Sequence, residues 1–341
     1  MFYPLLLRPL LFCLNAEEAH TLALQALRVA DQLRLLPCLF PNNLHDPVKI
    51  MGLTFPNRVG LAAGLDKNGA YINALSRLGF GFLEIGTVTP LPQTGNARPR
   101  LFRIAKNKAI INRMGFNNSG VDTLVNHVIH ARYQGILGIN IGKNATTSVS
   151  NAADDYLICL DKVYPFASYV TINISSPNTK GLRQLQHADE LGSLLHQLKT
   201  RQTSLADQYG HYVPLVVKIA PDLDDEEIGT IARILIKHRI DGVIATNTTL
   251  SRQGITDHVL AKEDGGLSGL PLREHSTRVI QRLAQALEHA LPIIGVGGIM
   301  SADDAKEKLA AGASLIQLYS GLIYQGPGLI GACVKRLADS V

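Results

Sequence analysis

The sequence predicts an α/β protein, a closed (β/α)8 TIM barrel preceded by a small N-terminal helical extension. Three observations carry that prediction. From Val59 onward, short apolar runs alternate with stretches of helical period. The 341 residues, 46% of them hydrophobic, suffice for a barrel of about 250 residues and an appendage. Polar and glycine-rich clusters follow the apolar runs directly, at the end where a barrel keeps its chemistry.

The extension comes first. The opening stretch of Leu, Phe and Tyr is broken by Pro4, Arg8, Pro9 and Asn15, so it falls short of the roughly 20 apolar residues that cross a bilayer. A signal peptide would carry its positive charge ahead of the apolar run and a small-residue cleavage site behind it, and neither pattern is present. Asn15 is placed to cap a helix, with Glu18 three residues on, and Ala19, Leu22, Ala26, Val29, Leu33 and Leu36 recur at helical spacing until Pro37 and Pro41. On these residues alone, two short helices packed on the domain are preferred over helices lying on a membrane. Residues 1–45 are assigned to the extension and 46–341 to the barrel.

The expected barrel strands are 59–62, 82–85, 136–141, 169–174, 215–219, 242–245, 292–296 and 315–318, with helical stretches such as 72–78, 154–163, 226–238 and 277–287 between them. Regular strand–helix alternation implies a parallel sheet. A doubly wound sheet would place a glycine fingerprint after an early strand, whereas the comparable cluster here, at 295–298, follows the seventh. Residues 90–116 are long, rich in Pro, Asn and Arg and not helical in pattern, and read as a cover over the active end.

Composition narrows the function. Charged residues make up 18% of the chain, and Lys plus Arg exceed Asp plus Glu by five (33 − 28), which suits an anionic substrate, a cofactor phosphate or an anionic lipid surface. Without a basic run or aromatic–basic interleaving, nucleic acid is not expected as a partner. Cys13, Cys38, Cys159 and Cys333 are scattered without a CxxC pair, so neither a disulfide framework nor a zinc site is indicated, no other metal cluster is expected, and a reducing cytoplasmic compartment fits.

The strand ends suggest the chemistry. Glycines after strands seven and eight, with Ser301 and Asp304 capping the next helix, form a phosphate cradle. Lys67 and Lys218, on different strands, suit anion recognition better than Schiff-base chemistry. Asn112, Asn140, Asn173, Asn178 and Asn247 combine amide donors and acceptors, as a flat heterocycle with carbonyl and N–H groups requires. With no nucleophile elbow and no His–carboxylate pair, Ser176, between Ser175 and Pro177, is the acid–base candidate.

Six segments together, Ala62-Ala63-Gly64-Leu65-Asp66-Lys67, Glu84-Ile85-Gly86-Thr87-Val88-Thr89-Pro90, Asn112-Arg113-Met114-Gly115-Phe116-Asn117-Asn118, Asn173-Ile174-Ser175-Ser176-Pro177-Asn178-Thr179, Ile244-Ala245-Thr246-Asn247-Thr248-Thr249 and Ile294-Gly295-Val296-Gly297-Gly298-Ile299, resemble the signatures of the class 2, quinone-dependent dihydroorotate dehydrogenases. The likeness runs in order from about Ala16 to the end. It implies one FMN per chain at the top of the barrel, oxidation of dihydroorotate to orotate in pyrimidine synthesis, and a membrane quinone as final acceptor. It also implies a monomer held peripherally on an anionic lipid surface, at the cytoplasmic face of the inner membrane. Soluble class 1 enzymes are similar but carry Cys where this chain has Ser176, and they lack the N-terminal helices. A class 1-type enzyme and a phosphate-binding barrel isomerase or aldolase remain the alternatives.

The resemblance further implies residue roles. Ser176 is the base that takes the proton from C5 while hydride leaves C6 for the flavin, with Thr179 as a neighbour for proton relay. Lys67, Asn112, Arg113, Met114, Gly115, Phe116, Asn173, Asn178, Asn247 and Thr248 are implied at the substrate. Ala63, Gly64, Lys67, Thr87, Asn140, Asn173, Lys218, Thr246, Gly269, Gly298, Tyr319 and Ser320 are implied at the flavin, with Lys218 near N1/O2. His20, Arg103 and Tyr319 match positions lining a quinone tunnel beneath the N-terminal helices.

Overall fold

The computed structural model describes residues 3–36, 40 and 44–339. Eight parallel strands close the barrel: β3 (Val59–Leu61), β4 (Phe82–Val88), β7 (Ile136–Ile141), β8 (Tyr169–Asn173), β9 (Leu215–Ile219), β10 (Gly242–Ala245), β12 (Ile293–Val296) and β13 (Leu315–Leu318). They are the eight expected runs, and β13 returns to β3 with Ile316 beside Val59 and Leu318 beside Leu61. Alternate residues serve two cores, because side chains switch faces at each step along a strand. Leu83 and Ile85 pack outward with Ile72 and Leu75, while Phe82, Tyr169, Val216, Ile244, Ile294 and Leu315 fill the interior. The large rings need room: a Cβ on Gly60 would lie 2.2 Å from the Phe82 ring. Further up the inner face the same periodicity delivers the buried Glu84, Asn173, Lys218 and Gln317.

Two features were not foreseen in the sequence. Residues before the barrel form an antiparallel hairpin, β1 (Val48–Ile50) and β2 (Leu53–Phe55), turning at Met51 (φ 54) and Gly52 (φ 77). Positive φ at both turn positions matches the twist of a two-residue hairpin. It plugs the lower end: Phe55 meets Phe82 edge-on at 5.1 Å, and Asp46 pairs with Arg58 at 2.8 Å. The expected irregular cover is also partly regular. β5 (Leu101–Ile104) and β6 (Ala109–Asn112) join β11 (Gly266–Gly269) in a three-stranded antiparallel sheet. Its strands are four residues each and recruit a partner more than 150 positions away, which no local pattern reveals.

The extension contains a π-helical turn (Tyr3–Leu7) and helices Arg8–Cys13 and Ala16–Gln32. Asn15 caps the second as expected, accepting from the Glu17 N–H at 2.9 Å, but Glu18 does not complete a capping box. The helix ends at Gln32, short of Pro37, which with Cys38 and Pro41 lies outside the described residues. The expected apolar stripe is mostly turned outward. Leu22, Val29 and Leu33 are exposed, whereas Ala19 and Leu24 face the barrel, so the helix docks through one edge of its apolar face and leaves the other edge uncovered. Docking is specific: Arg8 donates to the Tyr324 carbonyl at 2.9 Å, Tyr3 to that of Ile323 at 2.7 Å, and Phe12 meets Tyr324 edge-on at 5.4 Å. Among the described residues, no helix is long and apolar enough to cross a membrane.

Candidate active site

The C-terminal strand ends converge on one cleft whose floor is a polar network anchored on Glu84. This fully buried carboxylate accepts from Asn140 Nδ2 at 2.8 Å, Tyr169 Oη at 2.9 Å and Gln317 Nε2 at 2.7 Å. Asn140 Oδ1 in turn accepts from Thr87 Oγ1 at 2.6 Å and Asn173 Nδ2 at 3.2 Å. Asn140, engaged through both its amide oxygen and its amide nitrogen, lies behind the cleft wall while Thr87 and Asn173 reach the cleft. Lys218 rises from β9 into the same space. Burial pushes its pKa below the ordinary lysine value, and the Glu84 charge pulls it partly back. Glu84 and Gln317 had no role in the sequence reading, since a carboxylate inside an apolar strand announces its function only once its partners are known.

Above the floor, the loop after β8 faces the cover. Ser176 is buried at the cleft wall, and its Oγ accepts from the Asn178 N–H at 3.3 Å. Asn178 Nδ2 reaches the Asn112 carbonyl at 3.0 Å, and Asn247 Nδ2 reaches Ser175 Oγ at 3.0 Å. Thr246 and Thr248 line the same wall, and Met114, Gly115 and Phe116 close it from the cover. Thr179 Oγ1 is buried without a hydrogen-bond partner. Arg183, which the sequence did not single out, clamps the loop by donating to Ser175 O at 3.1 Å and Thr248 O at 2.9 Å and pairing with Asp222 at 2.8 Å. Arg113 does not line the cleft. Its guanidinium pairs with Glu263 at 2.6 Å and lies over Phe102 at 4.7 Å, so this side chain braces the cover.

On the opposite side, Ala63, Gly64, Gly269, Gly297, Gly298, Tyr319 and Ser320 form a largely backbone wall. Gly298 has φ +74, and a Cβ there would lie 2.3 Å from Arg273 Cα, so both conformation and space demand glycine. Ser301 caps helix Ala302–Ala310 through the Asp304 N–H at 3.2 Å, and Asp304 accepts from the Met300 N–H at 2.9 Å. Ser301 thus satisfies one of that helix's own N–H groups and Asp304 the Met300 N–H just ahead of it, leaving the wall to the glycine loop.

At the mouth, helix Ala16–Gln32 contributes directly. Glu17 and His20 line the cleft beside Lys67, and Glu17 pairs with Arg100 at 2.7 Å and Arg98 at 3.0 Å. Arg100 also donates to the carbonyls of Thr94 and Asn96, at 2.6 and 3.0 Å, tying the cover to the extension. Lys67 is pushed down to about 8, by burial first and by the Arg100 charge second. His20 falls to about 4 through burial and the nearby Lys67, which leaves it neutral at pH 7.

A second cavity, mainly apolar, lies beneath the N-terminal helices, walled by Tyr3, Leu11, Phe12, Ala19 and Leu24 from the extension. His20, Arg103 and Tyr319 all line it, so the expected tunnel residues are brought together. His20 and Tyr319 line the polar cleft as well, as do Leu101 and Ile110. The two spaces therefore share a wall. Arg103 is fixed by the carbonyls of Leu11 and Leu14, and its guanidinium lies over the Phe12 ring at 4.5 Å.

With this geometry in place, the chain can be compared with known proteins. The dihydroorotate dehydrogenase family model matches residues 47–341. A Chromobacterium violaceum protein named dihydroorotate dehydrogenase (quinone) is 64% identical over 339 residues, covering 99% of this chain and 98% of that protein. A Nitrosomonas eutropha protein of the same name is 64% identical over 98% of this chain and 97% of its own length. Among solved structures, DHODH from Eimeria tenella in complex with ferulenol superposes with a TM-score of 0.85 at 38% identity, covering 94% of this chain and 90% of that one. The chain belongs to the dihydroorotate dehydrogenase family.

Proposed function

We propose that this chain oxidises dihydroorotate to orotate in pyrimidine biosynthesis, with FMN in the polar cleft as hydride acceptor and a membrane quinone as final electron acceptor. The observation that carries this reading is the shared wall. A cleft lined by lysines, asparagines and glycines abuts an apolar cavity at His20 and Tyr319, which suits a polar substrate on one side and an apolar acceptor on the other.

The residues fit FMN. The glycine wall leaves backbone N–H groups for a phosphate, Gln317 Oε1 is buried at the cleft without a partner, and a lysine stands close by. When bound, FMN supplies the hydride acceptor and passes electrons to the quinone. Lys218 holds a buried positive charge on the flavin side, while Thr87, Asn140, Asn173 and Thr246 fix the surrounding amides. On the substrate side, Asn112, Asn173, Asn178 and Asn247 orient the pyrimidine ring, Lys67 meets its carboxylate, and Ser176 removes the C5 proton. Thr179 Oγ1, with no partner of its own, is available to pass that proton onward through water.

The same reading divides the chain into a quinone-access segment, residues 1–45, and the flavin barrel, 46–341. It makes the protein a monomer attached peripherally to the cytoplasmic face of the inner membrane. Support comes from the exposed Leu5, Leu6, Leu7 and Leu10 on the first helices and Leu14 just after them, an apolar surface able to enter the headgroup boundary. The purified chain is expected to be yellow and to release one FMN per polypeptide on denaturation. A colourless protein that takes up no added FMN would overturn the reading.

Lys67 yields a pH prediction. It is charged below about 8 and neutral above, whereas the substrate carboxylate stays ionised throughout. Because kcat/KM follows the free enzyme's ionisations, it should fall by up to about tenfold per unit above pH 8. A profile flat through that range would remove Lys67 from the carboxylate.

A further inference from the structure

The glycine wall stands on a buried lysine that none of the roles above uses. Lys308, on helix Ala302–Ala310, is fully buried. Its ammonium donates to the Arg273 carbonyl at 2.8 Å and to Ser276 Oγ and Thr277 Oγ1, both at 2.6 Å. These acceptors are neutral and belong to the first turns of helix Arg273–Leu287. With an Oγ lone pair engaged by Lys308, the Ser276 hydroxyl hydrogen is shared between the Gly297 and Arg273 carbonyls, each at 3.0 Å. Gly298 presses on the same turn, its missing Cβ 2.3 Å from Arg273 Cα. Lys308, Ser276 and Gly297–Gly298 thus form one rigid stack running from helix to cleft wall.

A buried ammonium held only by neutral oxygens is costly without a counter-charge nearby. The acidic groups on its own helix, Asp304 and Glu307, act on it from beyond direct contact, and Asp304 is already engaged by Arg273 at 3.0 Å. The Arg273 charge opposes that of Lys308, and burial pushes the lysine down to about 7. A phosphate at Gly297–Gly298 would add a further anion to an ammonium whose direct partners are all neutral.

Resting on the FMN reading above, we infer that Lys308 is the positioning residue of the phosphate cradle, holding Gly297–Gly298 through Ser276 and giving the cleft its preference for a phosphorylated over an unphosphorylated flavin.

The test uses the full-length chain stripped of flavin, with FMN and riboflavin as probes and fluorescence quenching as the readout of each Kd. Wild type is expected to favour FMN strongly. In Lys308→Met that preference should fall by about tenfold or more, the scale of one charge-assisted interaction, with riboflavin affinity held within about twofold. Ser276→Ala, a smaller change, should lower the preference in the same direction and decides the matter if Lys308→Met fails to fold. An FMN/riboflavin ratio unchanged from wild type in the folded variants, whether or not both affinities drop together, would show the lysine to be a packing element and overturn the inference. A wild-type chain that binds neither flavin would overturn the FMN reading itself, and this inference with it.

Discussion

Ser176→Ala is expected to keep FMN and orotate binding while slowing flavin bleaching by dihydroorotate by roughly 10²–10⁴, the range for loss of a general base. The titratable residues lining the cleft among those described are Glu17, His20, Lys67, Lys218 and Tyr319. None suits proton removal on the substrate side. Glu17 is held by Arg98 and Arg100, His20 and Tyr319 stand at the junction with the apolar cavity, and the two lysines face the anionic ligand groups of the proposal. Ser176 Oγ accepts only from the Asn178 N–H at 3.3 Å, which leaves a lone pair for the incoming proton and its own hydrogen for relay. A hydroxyl is a weak base alone, so the proposal gives Ser176 a relay neighbour in Thr179, whose buried Oγ1 has no hydrogen-bond partner of its own. Ser176→Cys should recover part of the rate. Stopped-flow bleaching of Ser176→Ala at the wild-type rate would reassign the base.

The second large effect is expected from removing residues 1–45. A chain beginning at Asp46 keeps the Asp46–Arg58 pair and the β1–β2 plug, so the barrel should fold. It loses Tyr3, Leu11, Phe12, Ala19 and Leu24, and with them one wall of the apolar cavity. Re-oxidation by a long-chain quinone should drop by roughly a hundredfold or more, the scale set by lost positioning, and co-sedimentation with liposomes should disappear. Dihydroorotate-driven bleaching should survive, with a raised KM because Arg100 loses Glu17 and the cover loses its tie. A truncated, folded chain that reduces quinone at full rate would make the N-terminal helices mere packing.

How much of this was legible in the sequence follows from the range of the interactions involved. The barrel strands were readable because each is a short apolar run at a regular interval, and burial on both faces makes that pattern continuous. The cleft residues were readable because barrel geometry puts the polar tips of those runs together. What the sequence hid was non-local. β11 completes the cover sheet from the far side of the chain, Glu84 is meaningful only beside Asn140, Tyr169 and Gln317, and Arg183 closes a loop through two distant carbonyls. The Arg113 side chain was hidden too, because motif position does not fix where a long side chain points. The outward turn of Leu22, Val29 and Leu33 was hidden because an apolar helix face does not reveal which of its edges will meet the barrel.

The most direct measurement of the central claim, one flavin reached from a polar side and an apolar side, is an anaerobic sequential-mixing experiment on the full-length chain. Dihydroorotate is mixed first and flavin absorbance followed; a ubiquinone analogue, NAD+ or fumarate is added second. The account predicts bleaching with orotate formed in equal amount to flavin, followed by rapid recovery of the oxidised spectrum with the quinone and not with NAD+ or fumarate. A flavin that dihydroorotate leaves oxidised, or one that NAD+ or fumarate restores faster than the quinone, would contradict it.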